Sequence, residues 1–117
     1  MAKEALFECS FLIPVRRDSN LSDGKRHAIS AWRWLEDALH DFGGATYEPV
    51  RGWYLDADTG KRVDDRSRKF VVAVARDQLF RLRSVLREAC GVFQQKCIYL
   101  SIAGRVEFVK GKRHGQK

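Results

Sequence analysis

The chain has 117 residues, 44% of them hydrophobic and 32% charged, with a net charge of +7. That length and balance predict one folded domain with a single core, and they exclude a disordered or disulfide-stapled chain. The longest apolar runs fall well short of the roughly 20 residues a membrane helix needs, and no signal-peptide pattern opens the sequence, so a cytoplasmic location is expected.

Residues 5–15 read as a first strand, with Phe7, Cys9, Phe11 and Ile13 alternating toward a core and Leu6, Glu8, Ser10 and Leu12 on the other face. A polar loop over 16–24 follows, in which Arg16 and Arg17 are candidates to hold an anion or to pair with Asp18 and Asp23. Ser22 or Asp23 is placed to cap a helix over 26–42. Its buried stripe is Ile29, Trp32, Leu35, Leu39 and Phe42. Trp34 falls off that stripe, either as a contact surface or against the sheet edge. Gly43-Gly44 stops the helix.

Strands are predicted over 45–56 and 67–76, joined by a polar connection in which Gly60 takes a positive φ. The Asp56-x-Asp58-x-Gly60 spacing does not continue as a calcium loop, because the closing glutamate is missing. Asp77 is placed to cap a second helix over 78–93, with Leu79, Leu82, Leu86, Ala89, Cys90 and Phe93 buried. Arg76, Arg83 and Arg87 share an outer face, which serves nucleic-acid phosphates or simply faces water. Residues 96–109 form the last strand, bent or bulged at Gly104. The tail over 110–117 carries four of the excess cations, leaving +3 for the domain over 1–109, so nucleic-acid binding is not the leading expectation.

This order predicts an α+β fold of ferredoxin-like β-α-β-β-α-β type, with a four-stranded antiparallel sheet in order 4-1-3-2 and both helices on one face. The opposite face collects Glu8, Ser10, Leu12, Val71, Ala73, Ala75, Tyr99 and Ser101. It is too apolar to stay wet, so a homodimer, or a protein or small-molecule ligand, is expected there. Glu8 acts as a base on that face or pairs with Lys69 or Arg105. Trp53 and Tyr54 stack on a ligand, or Trp53 caps the core.

The three cysteines Cys9, Cys90 and Cys97 form no metal or redox motif and read as buried apolar groups. His27, His40 and His114 are too far apart to imply a metal cluster. No cofactor is implied, and no catalytic motif is present. The functional expectation is therefore a non-catalytic, oligomer-forming module that binds through its open sheet face. The alternative is a small cofactor-independent enzyme of the dimeric αβ-barrel type, with its site between the sheet and a partner subunit.

Phe42-Gly43-Gly44-Ala45-Thr46, Gly52-Trp53, Asp65-x-Ser67 before a valine strand, and Phe93-Gln94-Gln95 before Ile98-Tyr99-Leu100 form a recognisable series. Across residues 27–109 this series resembles a group of small bacterial proteins known only as a domain of unknown function. The resemblance implies the same strand and helix order and carries no activity.

Overall fold

The computed structural model describes residues 5–19 and 21–111. Five strands and two α-helices follow in the order β1 (Leu6–Pro14), α1 (Ile29–Leu39), β2 (Thr46–Leu55), β3 (Arg62–Ala75), α2 (Leu79–Val92), β4 (Cys97–Ile102) and β5 (Arg105–Lys110). They form one antiparallel sheet in the order β2-β3-β1-β4-β5. The first four strands thus stand as 4-1-3-2, as the sequence predicts, and a fifth strand extends the β4 edge.

The extra strand corrects the reading of 96–109 as one bent strand. Ala103 and Gly104 have φ of 49° and 88°. Two consecutive positive φ values make a tight hairpin turn of the kind that matches strand twist, so the chain reverses there. Ile98 then pairs with Val109, and Tyr99 with Phe108. The tail residues 112–117 and the N-terminal residues 1–4 lie outside the described residues.

One core holds the fold together. Cys9, Phe11 and Ile13 of β1, Phe70, Val72 and Val74 of β3, and Ile98 and Leu100 of β4 all project from one face of the sheet. Leu35 and Leu39 of α1 and Leu82, Leu86, Ala89 and Cys90 of α2 join the same cluster, so both helices cover that face. Phe11 and Phe70 stack at 5.2 Å across the β1–β3 pair. Truncating such a ring costs about 3–5 kcal/mol in typical cores. Trp34 packs partly buried against the core, whereas Ile29, expected on the buried stripe, is 71% exposed because α1 begins at that residue.

The helix ends also differ from expectation. α1 starts after Ala28 and α2 after Gln78, with no side-chain hydrogen bond at either cap. Asp23 instead accepts the Lys25 N–H and pairs with Arg17 at 3.1 Å, and the former bond holds its carboxyl below the usual range. Asp77 lies in a short 3₁₀ turn, Arg76–Gln78. Cys97 is exposed, unlike buried Cys9 and Cys90, and burial pushes the Cys90 thiol up to about 11.

His27 pins the loop after β1 to the body. Its ring stands edge-on to Phe93 at 4.9 Å and to Trp32 at 5.6 Å. Nε2–H donates to the Pro14 carbonyl at 2.8 Å, while buried Nδ1 has no hydrogen-bond partner. Desolvation therefore lowers the His27 pKa below its ordinary 6.5, despite the opposing Pro14 bond. A neutral folded-state histidine stabilises fully above the unfolded pKa, and that contribution is lost as pH falls below it. The Tm of the wild type should accordingly fall more steeply between pH 7 and pH 5 (about that of an ordinary histidine's titration) than the Tm of His27→Gln. Parallel thermal-unfolding profiles would remove this role from His27.

Candidate functional site: an arginine-lined crease beside the β2–β3 arm

β1 stops at Pro14, which pairs with Ser67, but β3 begins at Arg62. The β2–β3 ladder therefore continues past the end of β1, down to the Leu55–Arg62 pair. At about 3.3 Å per residue the unsupported part of β3 is about 17 Å long. The sequence reading began the third strand at residue 67 because residues 62–66, Arg-Val-Asp-Asp-Arg, show no apolar alternation. With neither helix behind it, that segment has no core to face.

The arm is closed by a well-ordered turn. The Asp56 side chain accepts the N–H groups of Asp58 at 2.8 Å and Thr59 at 3.1 Å, which hold its carboxyl below the ordinary range. Gly60 takes φ of 69°, as expected from the sequence. At the base, the Val15 N–H donates to the Arg66 carbonyl at 2.9 Å. Arg16 then forms an isolated bridge with Arg26. Buried Gln95, just after α2, donates through Nε2 to the carbonyls of Arg16 and Phe93, each at 2.9 Å. Gln94 accepts the Asp18 N–H through its carbonyl at 3.0 Å. The Phe93-Gln94-Gln95 run thus clamps the loop that faces the arm.

Between the arm and this loop lies an open crease of about 660 Å³. Val15, Arg16 and Arg26 line it from the body, and Arg51, Gly52, Trp53, Arg62, Asp64, Asp65 and Arg66 line it from the arm. A second hollow of about 500 Å³ continues from it toward Pro49, Val50 and Ser67, sharing Arg26, Arg51 and Arg66. Trp53 is 58% exposed and does not cap the core. The Arg62 guanidinium lies 5.0 Å from its ring centre and pairs with Asp64 at 3.1 Å.

Asp65 is a half-buried acid of this region. Burial raises its pKa above 3.8, against the opposing hydrogen bonds of the Arg66 N–H and the Ser67 hydroxyl. It makes no ion pair with a described residue. Gly52 stands directly across from it, and a Cβ added at Gly52 would meet open space, so β2 leaves the carboxyl uncovered. Tyr54, next on the same face, has its hydroxyl pKa raised by burial and then by the Asp65 charge.

The candidates named from the sequence divide between two places. Arg16 and Trp53 meet in the crease, while Arg17 turns to Asp23. Glu8, Ser10, Leu12, Val71, Tyr99 and Ser101 share the open sheet face, where Ser10 pairs with both Val71 and Ser101. Val106 and Phe108 of β5 join that face at 53% and 60% exposure, and Phe108 meets Tyr99 edge-on at 5.9 Å. Glu8 makes no ion pair with Lys69 or Arg105. The expected basic face of α2 is broken up, because Arg83 pairs with Glu107 at 2.8 Å and Arg76 lies over Phe7. Arg26, Arg51 and Arg66 were not singled out by the sequence, and Gly52 and Asp65 stood out only within the Gly52-Trp53 and Asp65-x-Ser67 motifs and not as site residues.

No family model and no curated protein matches the chain. Solved structures do match it in fold. A phage SAM lyase in complex with S-methyl-5′-thioadenosine aligns with a TM-score of 0.71 and 14% identity, covering 100% of this chain and 97% of that one. A Bacillus cereus protein related to NIF3 aligns with a TM-score of 0.58 and 8% identity over 94% of this chain and 28% of the other. The B. subtilis GlnK–ATP complex aligns with a TM-score of 0.54 and 13% identity, covering 88% and 86%. At these identities the likeness is one of fold: an α+β domain with an antiparallel sheet and two helices. Among the described residues there is no group of side chains that would hold a metal ion, and no helix is long and apolar enough to cross a membrane.

The raised pKa of Asp65 has a testable consequence. Between its unfolded and folded pKa values the folded state binds the extra proton, so stability falls as pH rises through that window and stays lower above it. Asp65→Asn should therefore melt no lower than the wild type at pH 7 (about three units above an ordinary aspartate pKa). A clear loss of Tm at that pH would show that the charged carboxylate is structural.

Proposed function

We propose that the crease binds an adenosyl-containing small molecule and that the chain is a cofactor-independent lyase acting on S-adenosylmethionine. The observation that carries this reading is a single crease lined by Arg16, Arg26, Arg51, Arg62 and Arg66, by the exposed indole of Trp53 and by the acids Asp64 and Asp65. S-adenosylmethionine has matching parts: a purine for Trp53, a carboxylate for the arginines, and cationic ammonium and sulfonium groups for the crease acids Asp64 and Asp65. A nucleoside triphosphate would satisfy the arginines but would set its phosphates beside the Asp65 charge. The whole-chain fold likeness to a phage SAM lyase holding S-methyl-5′-thioadenosine supports the same choice.

The chemistry asks little of the protein. An oxygen of the substrate's own carboxylate forms the new bond to the chain carbon as the C–S bond breaks, so both electrons of that bond go to sulfur, the thioether departs neutral, and the amino-acid part closes as a lactone. The site must orient the substrate and exclude water, and neither task needs a metal or a redox group.

The test is incubation with S-adenosylmethionine, followed by chromatography for S-methyl-5′-thioadenosine. The wild type should form it, and Asp65→Asn should slow its formation at least tenfold (about 1.4 kcal/mol). Trp53→Ala should weaken S-methyl-5′-thioadenosine binding about tenfold, the usual scale for losing one base–aromatic stack. Absence of both binding and turnover in the wild type would overturn the reading.

A second reading, a module that self-associates through its open sheet face, is favoured by one observation. β5 adds Val106 and Phe108 to the apolar residues already on that face. Native mass spectrometry showing a monomer at micromolar concentration would remove it.

A further inference from the structure

Two like-charge pairs face each other across the crease. Arg51 stands directly opposite Arg66 in the β2–β3 ladder, and Arg16 stands opposite Arg26 in the isolated bridge. All four line the crease, and none makes an ion pair with a described residue. Like charges directly across a strand pair destabilise it, and here two such pairs converge on one concavity. Neither acid that lines the crease forms an ion pair with them. Asp64 is taken by Arg62. Asp65 alternates onto the opposite face of β3 from Arg66, and it forms no ion pair.

Backbone hydrogen bonds fix the chain positions that carry these side chains. Val15 is tied to Arg66, the Arg16 carbonyl accepts from Gln95, and the Arg17 N–H donates to the Lys25 carbonyl at 2.9 Å beside the Arg16–Arg26 bridge. The arm and the body are thus joined at the point where the charges meet. Arg26, Arg51 and Arg66 also border the second hollow, so they stand at the waist between two lobes.

We propose that Arg16, Arg26, Arg51 and Arg66 form an oxyanion subsite that seats a carboxylate or phosphoryl group of the ligand at this waist. Guanidinium forks match such groups in geometry and charge, and an anion seated there relieves both repulsive pairs at once. The subsite deepens the proposed function, since it names the part of the ligand that the crease grips. It places the adenosyl part of the ligand on the Trp53 side of the waist.

The test uses the full chain in thermal unfolding at matched ionic strength, with inorganic phosphate, acetate or chloride. Phosphate or acetate should raise the Tm above the chloride control by about 3 °C at saturation. A shift with phosphate alone assigns a phosphoryl group, and an equal shift with acetate assigns a carboxylate. Arg51→Gln with Arg66→Gln should abolish the shift. In chloride at low salt the same double variant should melt no lower than the wild type, because a repulsive pair has been removed. Retention of the anion shift by the double variant, or a lower Tm in chloride, overturns the subsite. S-methyl-5′-thioadenosine carries no oxyanion, so its binding should survive these substitutions and fail in Trp53→Ala. The subsite and the adenosyl reading can therefore fail separately.

Discussion

The structure depends on the antiparallel pairing of β1 with β3, and above all on the difference in their lengths. Nine pairs, from Leu6–Ala75 to Pro14–Ser67, join the two central strands. Along that stretch the alternating residues Cys9, Phe11 and Ile13 stand opposite Val72, Phe70 and Arg68, and all of these but Arg68 belong to the core under the helices. Burial of this face is the main favourable term available to a domain of this size. Beyond Pro14 the partner strand ends. β3 continues with only β2 beside it, and the chemistry of its side chains changes at that point from apolar to charged.

That change makes the crease. A two-stranded arm without a core is marginal on its own. Here it is secured at its base by the Val15–Arg66 bond and at its tip by the Asp56 turn. Arg68 closes the core just where the arm departs, its guanidinium 4.1 Å from the Trp32 ring centre and 5.3 Å from that of Tyr47. On the body side, His27 and Gln95 fix the loop through the carbonyls of Pro14 and Arg16. Rigid backbone on both flanks therefore carries polar side chains that the fold itself does not use.

Much of the fold is legible in the sequence. The apolar alternation of Phe7 to Ile13 and the stripes at Leu35 and Leu39 and at Leu82, Leu86 and Phe93 place one face of the sheet under both helices. The order of the first four strands follows from them. What escapes is polar or depends on register. Residues 62–66 pair as strand through the backbone ladder and polar contacts such as Arg62 over Trp53, which leave no trace in hydrophobic pattern. The Ala103-Gly104 reversal looks like a single glycine interruption, because an alanine with positive φ has no sequence signature. Arg51 and Arg66 lie fifteen positions apart, and only the ladder shows them to be opposite one another. Of the site, Arg16 and Trp53 were visible as residue types able to meet an anion and a ring, but their common location was not.

The proposed ligand site is the crease beside the arm rather than the open face of the sheet. Backbone amide shifts on titration with S-methyl-5′-thioadenosine test this most directly. The largest changes should fall at Val15, Arg16, Gly52, Trp53 and Asp65. Changes centred instead on Ser10, Tyr99, Ser101 and Phe108 would place the site on the opposite side of the sheet and contradict it.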